Sequence, residues 1–125
     1  MPTQFLLDTN IVTAFAQRNA ITLSHLHSLG ANDEIYTCFI VIGEWENGIL
    51  NAPGVRRRAE IRTSGTSILS GLKAIWESTP AISLRYGALH SELRAKGQLI
   101  PTNDIWIAAT ALANRATVIT SDPHF

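Results

Sequence analysis

The sequence predicts an α/β fold, with a mainly parallel sheet that helices cover on both faces. Short apolar or β-branched runs alternate along the chain with segments of helical periodicity, and clusters of turn-forming residues separate them. Strands that alternate with helices in this way favour a parallel sheet. The chain has 125 residues, 46% of them hydrophobic, which suffices for one buried core and leaves no room for a second domain. We therefore interpret residues 1–125 as a single domain.

The first part of the chain predicts two strands, with two helices between them. The apolar run 5–7 indicates a buried strand, and Thr9 and Asn10 are residue types that cap the helix expected to follow. Apolar side chains at helical spacing predict a short second helix over 21–29. The run 35–37 then predicts the second strand.

The middle part predicts two helical segments and a strand. A helix from about residue 39 to residue 50 ends near Pro53-Gly54, which is a strong stop signal. The segment 55–78 is long and amphipathic, with an interruption at Ser64-Gly65. The run 81–84 predicts the third strand.

The last part predicts two helices and the fourth strand. Residues 86–96 indicate a helix that stops at Gly97, and residues 103–115 indicate another. The β-branched run 116–120 is typical of a buried strand. Parallel sheets bind ligands outside the carboxyl ends of their strands, so the acids that follow the first and last strands are candidate site residues.

Asp8 closes the first predicted strand and Asp122 follows the last one. Helix capping explains Asp8 when it is taken alone, and a turn at Asp122-Pro123 explains Asp122. Because Thr9 and Asn10 can also cap the helix, the Asp8 side chain is left able to project from the edge of the sheet. The residues by themselves leave both explanations open.

Two further acids share helix faces with small or apolar residues. Asp104 lies on the same face as Ile107 and Ala111, where a carboxylate is costly unless it is paired or bound to a metal. Glu44 lies on the same face as Gly48. A glycine inside a helix lowers helix stability, and one reason to have it at position 48 is that it leaves space beside the Glu44 side chain. The alternative for Asp104 is an acid in the first turn that the helix dipole favours, and the alternative for Glu44 is a surface glutamate. Neither explains as well why the acid shares a helix face with small or apolar residues.

If these four acids meet at one end of the sheet, they form a site for a hard divalent cation. Mg²⁺ takes oxygen ligands and keeps several waters. A zinc site needs His or Cys at ligand spacing, and the four histidines show no such grouping near the acids. The histidines are His25, His27, His90 and His124.

The charge balance, the cysteine count and the distribution of apolar residues limit the classes of protein to which this chain can belong. Equal numbers of basic and acidic residues give a formal net charge of zero, so the chain lacks the basic excess of proteins that bind nucleic acid through a broad surface. The single cysteine excludes an intramolecular disulfide. No stretch has the length of a transmembrane helix or the pattern of a signal peptide. We expect a cytoplasmic protein without membrane contact.

Four motifs, in this order, resemble those of the PIN-domain family. Residues 5–11, FLLDTNI, are similar to its opening strand and acid, and residues 42–48, IGEWENG, to its glutamate followed four positions later by glycine. Residues 97–104, GQLIPTND, followed by IAATA, resemble the third motif, and residues 118–125, VITSDPHF, the fourth. Together they span nearly the whole chain. The pattern resembles most closely the VapC-type toxins of bacterial toxin–antitoxin operons.

The resemblance implies a fold and partners. The fold is PIN-like (Rossmann-like), a three-layer α/β/α arrangement with a mainly parallel sheet of four strands. VapC-like chains usually continue to a fifth strand, and we expect that strand to be missing here because the sequence stops at Phe125. The resemblance also implies a homodimer and a cognate VapB-like antitoxin whose tail enters the acidic site.

The resemblance further implies an Mg²⁺- or Mn²⁺-dependent endoribonuclease that hydrolyses RNA phosphodiester bonds by an activated water. Glu44 is a candidate to orient that water. The implied catalytic and metal-binding residues are Asp8, Glu44, Asp104 and Asp122. Candidates for the hydrogen bonds that hold these ligands are Thr9, Asn10 and Thr120.

Candidate RNA-binding residues are basic side chains at the start of the segment 55–78, together with Arg85, which precedes the helix predicted over 86–96. A phosphate-binding patch is one interpretation of them, and a solvated helix face, the commoner explanation of a charge run, is the other. These candidates are Arg56, Arg57, Arg58, Arg62 and Arg85.

Alternative functions are compatible with parts of this sequence, although a purely structural α/β module leaves the position of Asp104 on an apolar helix face unexplained. Phosphatases of the haloacid dehalogenase type also open with a strand and an aspartate, but they need a second acid two positions later, where this chain has Asn10. A PIN-like module that binds RNA or a partner without cutting is the second alternative. The presence of all four acids favours the nuclease.

Overall fold

The computed structural model describes residues 2–16 and 32–123. These residues form four strands and five helices. In chain order they are β1 (Gln4–Leu7), α1 (Thr9–Ala16), β2 (Glu34–Cys38), α2 (Phe39–Leu50), α3 (Val55–Ser70), β3 (Ala74–Trp76), α4 (Pro80–Ala95), α5 (Thr102–Ala113) and β4 (Thr117–Ile119).

The described strands form one parallel sheet in the order β3-β2-β1-β4. Leu6 of β1 lies opposite Tyr36 of β2 and Val118 of β4, so β1 is flanked on both sides. Tyr36 in turn pairs with Ala74 of β3. Because every strand runs in the same direction, the carboxyl ends meet at one edge of the sheet. The predicted α/β fold with a parallel sheet is confirmed.

The core explains why these segments form strands and helices. Leu6 and Leu7 of β1 are buried, and the helices pack apolar side chains against them. Removing such apolar surface from water is the main stabilising contribution to the fold. The buried cluster consists of Leu6, Leu7, Ile11, Val12, Cys38, Val41, Trp45, Ile49, Ile107 and Ala111.

The third strand was predicted in the wrong place. It is formed by Ala74–Trp76, inside the segment expected to be helical, and the run 81–84 is the first turn of α4. The Thr79 side chain accepts a hydrogen bond of 3.3 Å from the Ile82 backbone N–H, and Pro80 occupies the start of the helix. Ile82 is buried whereas Leu84 is 76% exposed, which suits one face of a helix better than a covered strand.

The other elements agree with the predictions apart from their ends. Helix α3 runs through Ser64-Gly65 without interruption, and α4 begins at Pro80 rather than at residue 86. Helix α4 is followed by Gly97 in a left-handed conformation, φ 65°, which glycine adopts without strain. The helix predicted over 21–29 lies outside the described residues. Within residues 2–16 and 32–123, no helix is both long and apolar enough to cross a membrane.

Candidate active site

Asp8 lies where β1 ends and α1 begins. Its backbone N–H donates to the Ile119 carbonyl at 3.0 Å, which extends the pairing of β1 with β4 by one residue. Its side chain is anchored twice. Oδ1 accepts a hydrogen bond of 2.7 Å from the Thr9 backbone N–H, and Oδ2 accepts one of 2.8 Å from the Thr120 hydroxyl. Asp8 therefore lies at the start of the helix and also at the carboxyl edge of the sheet, and its role in the site stays a prediction.

Glu44 projects from α2 toward the same edge. Its Oε1 accepts a hydrogen bond of 2.6 Å from the Thr9 hydroxyl, and the Asn103 amide nitrogen lies 3.5 Å from its Oε2 as a donor. Both carboxylate oxygens thus meet uncharged donors, which orient the group and leave its negative charge uncancelled. Asn103 was not among the predicted site residues. Its position next to Asp104 in the sequence was the signal that could have identified it.

The other two acids come from α5 and from the segment after β4. Asp104, in the first turn of α5, is 8% exposed, and its neighbour Ile105 is buried as well. Asp122 is held through its backbone, whose N–H donates to the Thr120 hydroxyl at 2.9 Å. Thr120 accordingly links the turn at Asp122 to the carboxylate of Asp8.

The structure brings the four predicted acids to one cleft. Its volume is about 380 Å³, and it opens at the carboxyl edge of the sheet beside β1. Thr13, which the sequence analysis did not single out, also lies in its wall. The cleft is lined by Asp8, Thr9, Asn10, Thr13, Ala14, Glu44, Asp104 and Asp122.

The three polar residues predicted to hold the acids contact the site as follows. Thr9 donates to Glu44 and Thr120 donates to Asp8, each through its hydroxyl. The Asn10 side-chain oxygen lies 3.5 Å from the Ser121 backbone N–H, which donates to it, so Asn10 ties α1 to the segment after β4. These contacts connect three elements across the cleft.

Burial raises the pKa of the Asp8 carboxyl above its ordinary value. Hydrogen bonds from Thr120 and from the Thr9 backbone oppose this increase, whereas the negative charges of Glu44 and Asp122 add to it. The metal-free site therefore holds a charge that is partly desolvated and repelled by its neighbours. A positive ion in the cleft would relieve both effects.

The donor set suits a hard divalent cation that retains waters. All four acids offer oxygen ligands, which Mg²⁺ and Mn²⁺ prefer. As arranged over residues 2–16 and 32–123, no three His, Cys, Asp or Glu side chains converge closely enough to enclose an ion by themselves. Mg²⁺ in proteins is commonly held by one or two carboxylates together with waters and phosphate oxygens, so the open cleft fits such an ion.

Four of the candidate RNA-binding arginines contact carboxylate or carbonyl oxygens of this chain. Arg62 forms two hydrogen bonds of 2.8 Å with Glu46, and the Arg58 Nε donates to the Ala52 carbonyl at 3.0 Å. Arg56 and Arg57 lie 3.5 and 3.6 Å from the Glu60 carboxylate. Arg85 is exposed on α4. Such contacts are typical of a solvated helix face, and the RNA-binding role stays a prediction.

Comparisons with known proteins agree with the motifs. The model of the PIN domain family matches residues 5–125. Ribonuclease VapC2 of Rickettsia felis is 30% identical over 119 residues, which cover 94% of this chain and 86% of that protein. Ribonuclease VapC1 of Haemophilus influenzae strain R2866 is 29% identical over 120 residues, covering 93% and 84%.

Solved structures show the same relationship. The crystal structure of VapBC2 from Rickettsia felis, bound to a DNA fragment from their promoter, contains a chain with a TM-score of 0.85 and 29% identity. The match covers 96% of this chain and 88% of that one. VapBC-1 from nontypeable Haemophilus influenzae gives a TM-score of 0.79 at 26% identity, covering 96% and 87%. The chain belongs to the PIN domain family, in its VapC group of toxin ribonucleases.

Proposed function

We propose that this chain is an Mg²⁺- or Mn²⁺-dependent endoribonuclease, the toxin component of a type II toxin–antitoxin system. It hydrolyses RNA phosphodiester bonds with an activated water. The observation that carries the proposal is the cleft in which four separate parts of the chain each place one carboxylate, namely Asp8, Glu44, Asp104 and Asp122. An RNA phosphate needs a positive charge to enter such a cleft, which is why the proposal includes a divalent cation.

Each polar group has a distinct part in the proposed reaction. Asp8 provides a fixed oxygen ligand, because the Thr9 backbone and the Thr120 hydroxyl hold its two oxygens. Glu44 orients the attacking water, and the Thr9 hydroxyl positions Glu44 for this. When bound, one or two divalent cations lower the pKa of water and neutralise charge on the leaving oxygen.

We also propose the partners and the extent of the domain. The similar VapBC structures are toxin–antitoxin complexes, which supports a VapB-like antitoxin for this chain. Exposed leucines on α4 and α5, Leu84 and Leu112, support a homodimer. The family match over residues 5–125 supports a single PIN domain over residues 1–125. With RNA as substrate, we expect the protein to act in the cytoplasm.

Cleavage of total RNA tests the proposed activity. Purified antitoxin-free protein should produce discrete fragments with Mg²⁺ or Mn²⁺, and EDTA should abolish them. Asp8→Ala and Asp104→Asn should each lose the activity, because each removes a carboxylate of the cleft. Removing one essential metal-site group is expected to cost roughly 100-fold or more in rate.

The matched control is Glu92→Gln, which removes an exposed carboxylate paired with Lys96 on α4. It should cleave like the wild type. Cleavage that persists in Asp8→Ala would indicate a contaminating nuclease and contradict the assigned site. A folded, metal-loaded protein that produces no fragments would favour the non-catalytic module that binds RNA or a partner.

A further inference from the structure

Among the described residues, four polar or charged side chains are buried: Asp8, Thr37, Asp104 and Thr110. The two acids belong to the candidate site. The Thr110 hydroxyl donates to the Trp106 carbonyl at 2.8 Å, which is a hydrogen bond within its own helix α5. Thr37 differs from these three, because its hydroxyl bonds to a neighbouring strand and has no part in the proposed reaction so far.

Thr37 joins the ends of two neighbouring strands. Its side chain is fully buried, and its hydroxyl donates a hydrogen bond of 2.9 Å to the Leu7 carbonyl. The register of β1 with β2 ends at Leu6 opposite Tyr36, whereas the register of β1 with β4 continues to Leu7. The Thr37 side chain therefore connects β1 to β2 just beyond their last backbone pair. Valine has the same shape and suits a buried strand, so the hydroxyl is what threonine adds here.

The two joined positions lie directly before the segments that carry two acids of the cleft. Leu7 precedes Asp8 in the sequence. Thr37 precedes Cys38, the last residue of β2, and the next helix, α2, carries Glu44. The hydrogen bond between Thr37 and Leu7 therefore fixes the end of β1 relative to the start of α2.

This connection opposes a repulsion within the site. The negative charges of Asp8 and Glu44 repel each other in the metal-free protein, which favours separation of β1 from α2. Two hydrogen bonds hold these elements together, from the Thr9 hydroxyl to Glu44 at 2.6 Å and from Thr37 to Leu7. The Thr9 bond lies at the open cleft, whereas the Thr37 bond is buried, where water does not compete for its donor and acceptor.

We propose that Thr37 is a positioning residue whose hydroxyl sets the spacing of the Asp8 and Glu44 carboxylates across the cleft. The inference rests on the proposed ribonuclease function and deepens it, because it assigns the geometry of the metal site partly to a buried strand residue. Since its side chain is fully buried, Thr37 acts through the backbone of Leu7 and not on the substrate. Removing a group that orients metal ligands typically lowers metal affinity or activity about 10- to 100-fold.

Thr37→Val tests the inference, because it removes the hydroxyl and keeps the shape of the side chain. The substrate is a labelled RNA oligonucleotide that contains a cleavage site mapped in total RNA. We expect kcat to fall about tenfold or more and KM to change little, because Thr37 does not reach the RNA. In thermal unfolding, which needs no cleavage, Mg²⁺ or Mn²⁺ should raise the melting temperature less than in the wild type. Thr37→Ser keeps the hydroxyl and should restore both properties.

Thr110→Val is the matched control, because it removes an equally buried hydroxyl that also donates to a backbone carbonyl, but within one helix. Its melting temperature in EDTA measures the cost of losing such a hydroxyl. Its kcat and its metal-induced rise in melting temperature should equal those of the wild type.

If Thr37→Val and Thr110→Val agree in kcat and in their response to metal, Thr37 serves only the stability of the sheet and the proposal is wrong. A loss that Thr37→Ser does not restore would also overturn it, because the hydroxyl would then not be the cause. A wild-type protein that is stabilised by metal but does not cleave RNA would contradict the proposed function alone. The melting temperatures of the variants would still decide the role of Thr37.

Discussion

Asp8 has a place both in the local structure and in the proposed chemistry. Its backbone extends the pairing of β1 with β4, and its carboxylate accepts hydrogen bonds from the Thr9 backbone and the Thr120 hydroxyl. These contacts keep the group in place, but they cancel only part of the cost of burying it, since its pKa remains raised. The metal-free protein therefore contains an unfavourable charge at its proposed site.

Replacing Asp8 by Asn should raise the stability of the metal-free protein at pH 7. The variant keeps a side chain of the same shape and removes the buried charge, which we expect to outweigh the loss of one accepted hydrogen bond, since the amide nitrogen cannot accept. Mg²⁺ or Mn²⁺ should raise the melting temperature of the wild type and have much less effect on Asp8→Asn. Thermal unfolding in EDTA and in increasing metal concentration measures both effects. Equal stabilisation of the two proteins by metal would argue against an ion at Asp8.

The same comparison in EDTA has a defined pH dependence. Because the pKa of Asp8 is higher in the folded state than its ordinary value of 3.8, its protonated form favours folding. That contribution is present below the ordinary pKa and is lost as pH rises through the raised value. The advantage of Asp8→Asn should therefore be small in acid and grow toward neutral pH. Glu92→Gln on α4 controls for the loss of an exposed carboxylate. A difference that stays constant with pH would contradict the assignment.

At the scale of elements, the approach of α3 to α2 depends on Gly65. The ring of Trp45 lies directly against this glycine, and an added Cβ would overlap Cζ2 and come within 2.6 Å of Cε2. Trp45 is buried in the core, so the ring has little freedom to move away. The interruption predicted at Ser64-Gly65 is therefore wrong, because α3 continues through both residues. Its glycine is required by a close contact between helices.

Gly65→Ala should destabilise the protein by about 1–3 kcal/mol, because overpacking against Trp45 outweighs the better helix propensity of alanine. Chemical denaturation measures the change in the free energy of unfolding. Gly87→Ala, at an exposed helical position with open space, should instead stabilise by about 0.5–1 kcal/mol.

Adding Trp45→Phe to Gly65→Ala separates the contact from other effects. The smaller ring should recover part of the loss caused by Gly65→Ala, which a double-mutant cycle reports as a coupling energy between the two positions. Additive effects of the two changes would show that Gly65 and Trp45 do not interact as described.

At the scale of the whole molecule, the sheet order brings the carboxyl ends of β1 and β4 side by side and leaves the α4–α5 pair with exposed leucines. Leu84 of α4 is 76% exposed and Leu112 of α5 is 50% exposed. The two helices pack against each other, and the Tyr86 ring stacks on the Trp106 ring with a centroid distance of 3.7 Å. We propose that these two exposed leucines contribute to the homodimer interface.

Leu84→Glu should convert the proposed homodimer into a monomer, because a charge in an apolar interface is costly to desolvate. Light scattering coupled to size-exclusion chromatography measures the molar mass. Leu50→Glu, at a 61% exposed leucine that ends α2, is the control and should remain dimeric. If Leu50→Glu dissociates the dimer and Leu84→Glu does not, the interface lies at the end of α2.

The sequence by itself determined the local part of this structure. The apolar run before Asp8, the helix over 39–50 and its stop near Gly54 depend on neighbouring residues, and each was predicted where it lies. The wrong prediction of a strand at 81–84 also came from relying on neighbouring residues alone. A short apolar run fits a strand or a helix, and the cap formed by Thr79 with the burial of Ile82 alone decided for the helix.

Only the tertiary structure decided how distant residues meet. Four acids from separate parts of the chain share one cleft because the parallel register brings those parts to one edge of the sheet, and no local pattern encodes that register. For the same reason the contact of Asn103 with Glu44, 59 positions away, could not be derived from spacing, nor the packing of Gly65 on Trp45. Local sequence specifies caps, turns and periodicity, whereas burial and pairing between distant segments depend on the whole fold.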